Sequence, residues 1–211
     1  MNIIKKDNWD VRLINLKLAR SFVEEHHYAH GGANTAVSCF GLFKGSSDEL
    51  HGISWWMPPA YGAAKYVAED DHKNVLALSR FCLVDDRPDN SGSFLISKSI
   101  KMLDKRWSNL VTYADTALNH NGGLYRASNW SYDGLTGKNP IFVNPVNNQM
   151  VSRKKGPKTY NKTEMIEMGF EHMGNFKKHR FLYPRFARKG LVIKSREEDS
   201  LVFTRDGKIL K

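Results

Sequence analysis

The residues best suited to chemistry lie in one stretch, which reads NLVTYADTALNHNGGLYRASNWSYDG from Asn109 to Gly134. An apolar run ends there at Asp115, and His120 follows on a glycine-containing loop. A carboxylate that ends a buried strand lies at the edge of a sheet where ligands of open α/β folds bind. We therefore expect Asp115 to accept a proton from an attacking amine, with His120 as a second acid–base group. The alternative is a structural carboxylate that caps a turn.

A dense group of amide and aromatic side chains follows, formed by Tyr125, Asn129, Trp130 and Tyr132. An asparagine can bond bidentately to the edge of adenine, and aromatic rings stack on bases. A base removed from its stack needs a pocket of this kind. The group therefore predicts binding of a nucleobase by Tyr125, Asn129 and Trp130, and the alternative is an aromatic core whose polar tips are satisfied.

Arg80 stands inside an apolar run, Asn74 to Asp86, that is typical of a strand covered on both faces. Alternation along a strand places one set of side chains on one face: Leu76, Leu78, Arg80, Cys82 and Val84. A charge among apolar neighbours needs a partner. We expect that partner to be Asp115 on the next strand, or an anionic ligand whose reacting group Arg80 would stabilise.

A polar loop joins this strand to a helix and contains Asn90, Ser91, Gly92 and Ser93. Asn and Ser are common N-cap residues. The free N–H groups and the positive dipole end of a first helical turn can hold a phosphate. We expect these four residues to bind the phosphate of a cofactor or group donor, and simple helix capping is the alternative.

Three histidines surround Tyr28 in the stretch EEHHYAHGG, residues 24–32. His26 and His30 are four residues apart, so on one helix they could share a face and bind a metal. The stretch lacks an H-E-x-x-H motif and a third ligand, so we expect His27 and Tyr28 to line a site without metal.

Charge is unevenly distributed along the chain. Lys plus Arg number 32 and Asp plus Glu 22, a net charge of +10, and 151–190 holds most of the excess. A concentrated positive field attracts polyanions, of which nucleic acid is a common one. We expect a nucleic acid or another phosphate-bearing partner, with its phosphates held by Arg153, Lys154, Lys155 and Lys158. The alternative is a solvated basic surface.

Hydrophobic periodicity indicates the elements that must position these residues. It predicts helices at Asn15–His27, 94–107 and Gly122–Tyr132 and strands at Thr35–Gly45, Glu49–Pro59, Asn74–Asp86, Asn109–Asp115 and 179–184. The strand–helix–strand order from Asn74 to Asp115 is typical of a βαβ unit, so the fold class is α/β with a mixed sheet. Length favours one catalytic domain, 1–187, followed by a small C-terminal β appendage, 188–211.

Composition excludes two broad classes. No apolar run approaches the ~18 residues of a membrane span, and the N-terminus has no apolar signal-peptide core. Cys39 and Cys82 lie within apolar runs, which predicts reduced core residues in a cytoplasmic protein.

Four segments occur in a suggestive order: SFVEEHHYAHG, LALSRFCLVDDRPDNSGSFLISKSI, VTYADTALNHNGGLYRASNWSYDG and KKHRFLYP. The set resembles the phage Mom family of adenine-modifying DNA proteins, which is similar in fold to GNAT-type acyltransferases. The resemblance implies a central mixed sheet with helices on both faces and a cofactor loop at Asn90 to Ser93. It also implies conversion of the adenine N6 amine in phage DNA to a carbamoylmethyl (acetamido) derivative, which protects the DNA from host restriction. The positions that match the family's site are His27, Tyr28, Arg80, Asp115 and Asn129.

The sequence departs from the usual GNAT acyl-CoA loop pattern, Q/R-x-x-G-x-G/A. The donor is therefore unknown: acyl-CoA, a related small-molecule donor and the participation of a metal all stay open, as does the oligomeric state. One alternative function is a GNAT-like N-acyltransferase acting on a small-molecule or protein amine. Another is a nucleic-acid-binding protein without catalytic activity.

Overall fold

A seven-stranded mixed sheet forms the centre of the protein. The computed structural model describes residues 3–28, 30–31 and 34–185, together with the backbone of 202–203 and 209–210. The strands of the large sheet are β1 (Trp9–Ile14), β2 (Ser38–Lys44), β3 (Leu50–Met57), β4 (Val75–Leu83), β5 (Asn109–Asp115), β6 (Ser131–Leu135) and β12 (Lys178–Pro184). Their spatial order is β1-β2-β3-β4-β5-β12-β6. Neighbours run antiparallel except β4 and β5, which are parallel.

Helices cover both faces of this sheet, as the sequence predicts. The helices are α1 (Leu16–His26), α2 (Tyr61–Val67), α3 (Ser91–Met102) and α4 (Gly123–Ala127). Apolar residues of α1 and α2 pack on one face, called here the α1 face. Those of α3 and α4 pack on the other, the α3 face, in the largest core cluster. The parallel β4–β5 pair is connected through α3, which is the predicted βαβ unit.

Local signals explain why α1 begins and ends where it does. The Asn15 side chain accepts a hydrogen bond from the Leu18 N–H at 2.8 Å, so it is the N-cap. Ala19, Phe22 and Val23 form the buried stripe that packs on the sheet. The helix ends at His26, which leaves His27 and Tyr28 just beyond its C-terminus.

A smaller three-stranded sheet lies between β6 and β12 in the sequence. It has the order β11-β7-β8 and is built from β7 (Asn139–Asn144), β8 (Gln149–Val151) and β11 (Glu171–Phe176). A two-stranded ribbon, β9 (Lys154–Lys155) with β10 (Lys158–Thr159), and helix α5 (Lys162–Glu167) are inserted before β11. Sequence patterns predict the ribbon only as a basic loop, because strands of two residues carry no periodicity.

Two elements of the large sheet region escape prediction, β1 and α2. β1 is a short edge strand, and α2 has seven residues with a glycine and two tyrosines, which are weak helix signals. The predicted helix through Trp107 ends at Met102, although Leu103 and Trp107 are buried in the same core as α3. Packing, not helical periodicity, explains those two apolar positions.

The predicted C-terminal appendage falls almost entirely outside the described residues. Within it, β13 (Val202–Phe203) pairs antiparallel with β14 (Ile209–Leu210). The boundary at residue 188 stays a prediction. In the part of the chain that the structure describes, none of the helices has the length and apolar character that crossing a membrane requires.

Candidate functional site

A cleft opens where β4 and β5 separate. The two strands pair only through three residues each, Val75–Ala77 with Asn109–Val111. At the next position the Thr112 hydroxyl donates to the Leu78 carbonyl at 3.2 Å, in place of a backbone bond. Beyond this point lies a cleft of about 360 Å³.

The cleft passes between the strands from one face of the sheet to the other. Its lining consists of His27, Tyr28, Leu78, Ser79, Phe81, Tyr113, Ala114, Asn119 to Tyr125. Tyr113 belongs to the α1 face, whereas Ala114 and Tyr125 belong to the core of the α3 face. Two molecules that approach from opposite faces can therefore meet in it.

A β-bulge at Ser79 decides which face Arg80 occupies. On β3, Trp55 lies opposite Arg80 and Trp56 lies opposite Leu78, so Ser79 is the additional residue. Leu78 therefore packs in the α3-face core and Cys82 in the α1-face core. The predicted alternation, with both on one side of the strand, is wrong because the bulge inverts it.

Arg80 is held by backbone carbonyls. Its Nε donates to the Gly31 carbonyl at 3.0 Å, and one terminal nitrogen donates to the Ser79 carbonyl at 2.8 Å. Its expected ion pair with Asp115 is not formed among the described residues, where Lys178 takes that place. Arg80 still lowers the pKa of His27 and opposes the raised pKa of Tyr28, so its charge acts on the cleft.

Asp115 is buried and has both carboxylate oxygens engaged. Its side chain is 3% exposed, and Oδ2 lies 2.8 Å from the Lys178 ammonium. Oδ1 accepts from the Ala117 N–H at 3.2 Å and begins a one-turn 3-10 helix, 116–118. The structural role considered from the sequence is therefore present. The carboxylate also raises the pKa of Tyr28, so its field reaches the cleft.

His27 and Tyr28 form the α1-face wall of the cleft. Burial first, then the charge of Arg80, lowers the pKa of His27 from 6.5 to about 4. His27 is consequently a neutral imidazole at neutral pH. Burial also raises the pKa of Tyr28, whose ring meets His120 edge-on at a centroid distance of 5.7 Å. His27, Tyr28 and His120 thus line the cleft, whereas Arg80 and Asp115 are not among its lining residues and influence it through their charges.

Two predicted base-binding residues lie elsewhere. Trp130 is 4% exposed and packs against Trp56, Tyr125 and Tyr183 in the α3-face core. Asn129 is exposed just beyond α4 with a positive φ of 63°, and it does not line the cleft. The sequence places both beside Tyr125, but the chain turns after α4 and carries them away from the cleft.

Tyr125 alone of that group lines the cleft. Its phenol contacts the Thr112 side chain at the base of the separated strands, and burial raises its pKa. Gly122 makes this placement possible, because its φ is +74° and a Cβ there would lie 2.2 Å from the Phe181 ring.

A second groove, of about 570 Å³, adjoins the cleft. It is lined by Phe81, Cys82, Leu83, Asp85, Arg87 to Ser93, Leu124 and Ala127. Phe81 and Leu124 line both spaces, so the groove and the cleft are continuous. The groove therefore leads from the first turn of α3 to the separation of β4 and β5.

Capping of α3 by side chains, the alternative to phosphate binding at Asn90, Ser91 and Ser93, is not found. Asn90 is the N-cap with a φ of 67°, and its side chain makes no capping bond. The Ser91 hydroxyl donates to the Pro88 carbonyl at 2.7 Å, and the Ser93 hydroxyl donates to the Asn90 carbonyl at 3.0 Å. The N–H groups of the first turn are thus left without a side-chain cap, which suits an anionic ligand.

The loop before α3 departs from the acyl-CoA pattern at a single position. Arg87 to Gly92 reads R-P-D-N-S-G, which differs from R-x-x-G-x-G only by Asn90 at the first glycine. Asparagine is a residue that tolerates the positive φ found there. A Cβ on Gly92 would lie 2.7 Å from Leu124, so glycine is required for close packing. Asp85 and Asp89 also line the groove and oppose an anion.

The histidines do not form a metal site. α1 ends at His26, so His30 is not one turn further along the same helix, and its Nδ1 lies 2.9 Å from the Glu24 carbonyl. Across the described ranges, no three His, Cys, Asp or Glu side chains are grouped to hold an ion. Cys39 and Cys82 are buried free thiols, with pKa values that burial raises to about 11 and 12.

The four predicted DNA-binding cations lie on the β9–β10 ribbon and its base. Lys154, Lys155 and Lys158 are exposed, and Lys158 forms an ion pair with Glu164 at 2.7 Å. Arg153 is half-buried and donates to the Tyr160 carbonyl at 3.3 Å. The sequence identifies this basic surface but not the ribbon that presents it.

Comparison with known proteins connects these features to a family. The chain is 30% identical over 130 residues to a protein of Escherichia phage Mu named Methylcarbamoylase mom, across 59% of this chain. The aligned part is 53% of that protein, so the chain spans about half the length of this relative.

Solved structures agree with the fold. Arabidopsis thaliana NAA60 in complex with acetyl-CoA superposes with a TM-score of 0.51 at 12% identity, over 84% of this chain and 98% of that one. The same protein with a bisubstrate analogue gives 0.50 at 12% identity, over 83% and 97%. The predicted GNAT-like fold is thereby confirmed. Since residues 8–197 match the Mom protein family, this chain belongs to that family.

Proposed function

We propose that this protein is a Mom-like transferase that converts the N6 amine of adenine in double-stranded DNA to a carbamoylmethyl derivative and so protects phage DNA from restriction. The observation that carries the proposal is the cleft between β4 and β5 in a member of the Mom family, which His27 and Tyr28 line and on whose side chains the charges of Arg80 and Asp115 act. The name of the phage Mu relative, methylcarbamoylase, agrees with this product.

The acceptor adenine enters from the α1 face. A base flipped out of the duplex fits between the aromatic walls that Tyr28 and Tyr113 give this side of the cleft. The neutral imidazole of His27 accepts a hydrogen bond from the base. Each oxygen of the Asp115 carboxylate makes one contact and retains a second acceptor site. Asp115 therefore takes the proton that the N6 amine loses as its bond to the donor carbon forms.

The donor enters from the α3 face, along the groove that leads from Asn90 to the cleft. The uncapped N–H groups of Gly92 and Ser93 hold its anionic part, and its reactive end passes Phe81 and Leu124. Arg80, whose second terminal nitrogen has no hydrogen-bond partner among the described residues, stabilises negative charge that develops on the donor. Tyr125, whose phenol contacts Thr112 beside the separated strands, supplies a proton to the departing group.

The second candidate function is a GNAT-like N-acyltransferase that acts on a small-molecule or protein amine. The loop Arg87 to Gly92, one residue from the acyl-CoA pattern, favours it. That enzyme would bind coenzyme A and would not need the basic ribbon. A DNA-binding protein without catalysis would instead bind DNA equally well after the loss of Arg80 or Asp115.

Expression in bacteria tests the proposal, because the host supplies both DNA and donor. Host DNA digested to nucleosides and analysed by mass spectrometry should contain a carbamoylmethylated deoxyadenosine. Arg80→Ala should lower its amount roughly 10²- to 10³-fold. Arg12→Ala removes the same charge from β1, where Arg12 contacts Asp48 and Phe43, and should leave the amount unchanged. Unaltered deoxyadenosine from soluble, folded parent protein would refute the proposal.

A further inference from the structure

The β9–β10 ribbon projects from the protein without contributing to a core. Every residue from Lys154 to Thr159 is exposed. A tight turn at Gly156 and Pro157 joins them, and the Gly156 φ of +61° suits such a hairpin. A ribbon that buries no apolar side chain contributes little to stability, so its sequence serves contact with another molecule.

The base of the ribbon is firmly held. The Tyr160 N–H donates to the Arg153 carbonyl at 2.9 Å, and the Arg153 guanidinium donates to the Tyr160 carbonyl. Asn161 and Glu164 then form a reciprocal capping box at the start of α5. The ribbon is therefore anchored to α5 and keeps a defined direction.

The two sides of the ribbon differ. Lys155 pairs with Lys158 across the strands, and their ammonium groups lie over aromatic rings, 4.9 Å from Phe170 and 4.4 Å from Tyr160. Lys154 pairs with Thr159 on the opposite side. No side-chain contact within the described residues involves the Lys154 ammonium or the Thr159 hydroxyl, so this outer side is available to a partner.

We propose that the ribbon lies in the major groove of double-stranded DNA and that Lys154 and Thr159 contact base edges there, which selects the adenines that are modified. This inference rests on the proposed function. The major groove, about 12 Å wide, admits a two-stranded ribbon, whereas the minor groove is about half as wide. Four Lys or Arg and no acid lie between Arg153 and Tyr160, which suits the phosphates that border the groove.

The chemistry of the outer side fits base edges. A lysine ammonium donates to O6 and N7 of guanine, and a threonine offers a hydroxyl and a methyl group that packs on the thymine methyl. Lys155 and Lys158 lie on the other side over Phe170 and Tyr160, with Lys158 also paired with Glu164, and they reach phosphates by exchanging these intramolecular contacts. The ribbon thereby separates base recognition from phosphate contact on its two sides.

Mapping the modified adenines in host DNA tests the selection. The double variant Lys154→Gln, Thr159→Val should still modify DNA but with its preference for flanking bases reduced roughly 5- to 150-fold. Lys138→Gln removes an exposed charge next to β7 and should keep the parental preference. An unchanged preference in the double variant would overturn the inference while the proposed function stood.

Dimethyl sulfate footprinting on a frequently modified duplex tests the groove, since it methylates guanine N7 in the major groove and adenine N3 in the minor groove. The parent should protect guanine N7, and the double variant should lose that protection. Protection confined to adenine N3 would overturn the inference. Guanine N7 protection that depends on Lys154 and Thr159, without any altered deoxyadenosine in the host, would support the ribbon and refute the proposed function.

Discussion

Replacing each of two buried carboxylates separates catalysis from stability. Asp115 and Asp133 both form ion pairs with residues of β12, Asp115 with Lys178 and Asp133 with Arg180. Their side chains are 3% and 5% exposed, so burial of the carboxylate is nearly equal. We propose Asp115 as the base, whereas the charge of Asp133 reaches the cleft through Tyr113, whose pKa is raised by burial first and by Asp133 in addition. Similar burial and pairing make Asp133→Asn a matched control for Asp115→Asn.

The loss of stability in each variant depends on the cation that loses its carboxylate, Lys178 or Arg180. The Lys178 side chain is 40% exposed and reaches water after Asp115→Asn, while the asparagine oxygen still accepts from Ala117, so we expect a loss of about 1–2 kcal/mol. The Arg180 side chain is 12% exposed and stacks 3.7 Å over Tyr66. Asp133→Asn removes the charge that neutralises this guanidinium, although the backbone carbonyl of residue 133 still accepts from it, and the loss of the buried pair costs about 3–5 kcal/mol.

Activity should follow the opposite order. Removal of the proton acceptor in Asp115→Asn should lower modification of DNA about 10²- to 10⁴-fold. Asp133→Asn should keep near-parental activity wherever it stays folded. Urea unfolding gives the first ranking and nucleoside mass spectrometry the second. Comparable activity losses in both variants, or a well-folded Asp115→Asn with parental activity, would refute the assignment of Asp115 as the base.

Three further predictions concern the surroundings of the cleft. Because the folded-state pKa of His27 is lowered from 6.5 to about 4, its neutral form contributes stability above pH 6.5 that is lost as pH falls toward 4. In urea unfolding, His27→Gln should remove on the order of 2 kcal/mol of this pH dependence. Identical pH profiles of parent and variant would contradict this prediction. Gly122→Ala should lower the free energy of unfolding by about 3 kcal/mol, because its Cβ would lie 2.2 Å from Phe181. Gly134→Ala, with a φ of +85° and nothing within 4 Å, should lower it by about 1 kcal/mol. Equal unfolding midpoints in denaturant would show that the clash at Gly122 is relieved. The N-acyltransferase alternative predicts that coenzyme A binds the parent in calorimetric titration and binds Gly92→Val about tenfold more weakly, and no binding by the parent would exclude a coenzyme A donor.

Sequence patterns predict the parts of this fold that have strong periodicity. The strand Asn109–Asp115 and the helix that Asn15 caps are confirmed, because a buried strand and an amphipathic helix with a cap leave clear local signals. The small sheet, the edge strand β1 and helix α2 are short or partly exposed, so tertiary packing determines them.

The site was predictable in its residue types but not in its geometry. His27 and Tyr28 line the cleft, while the roles of Arg80 and Asp115 stay predictions, and the sequence gives no sign of the bulge at Ser79 that inverts the face of Arg80. Pairing of Asp115 with Lys178 depends on β12 lying beside β5, more than sixty residues away in sequence. Registers of distant strands are set by the whole sheet, and local patterns do not contain them.

The proposed function requires that a single adenine of double-stranded DNA reaches the cleft between β4 and β5. Photo-crosslinking tests it directly, with duplexes that carry a photoreactive adenine analogue and identification of the attached peptides by mass spectrometry. We predict attachment of the duplex to peptides that contain Tyr28, Tyr113 or His120. Attachment confined to the β9–β10 ribbon or to surfaces remote from the cleft would contradict it.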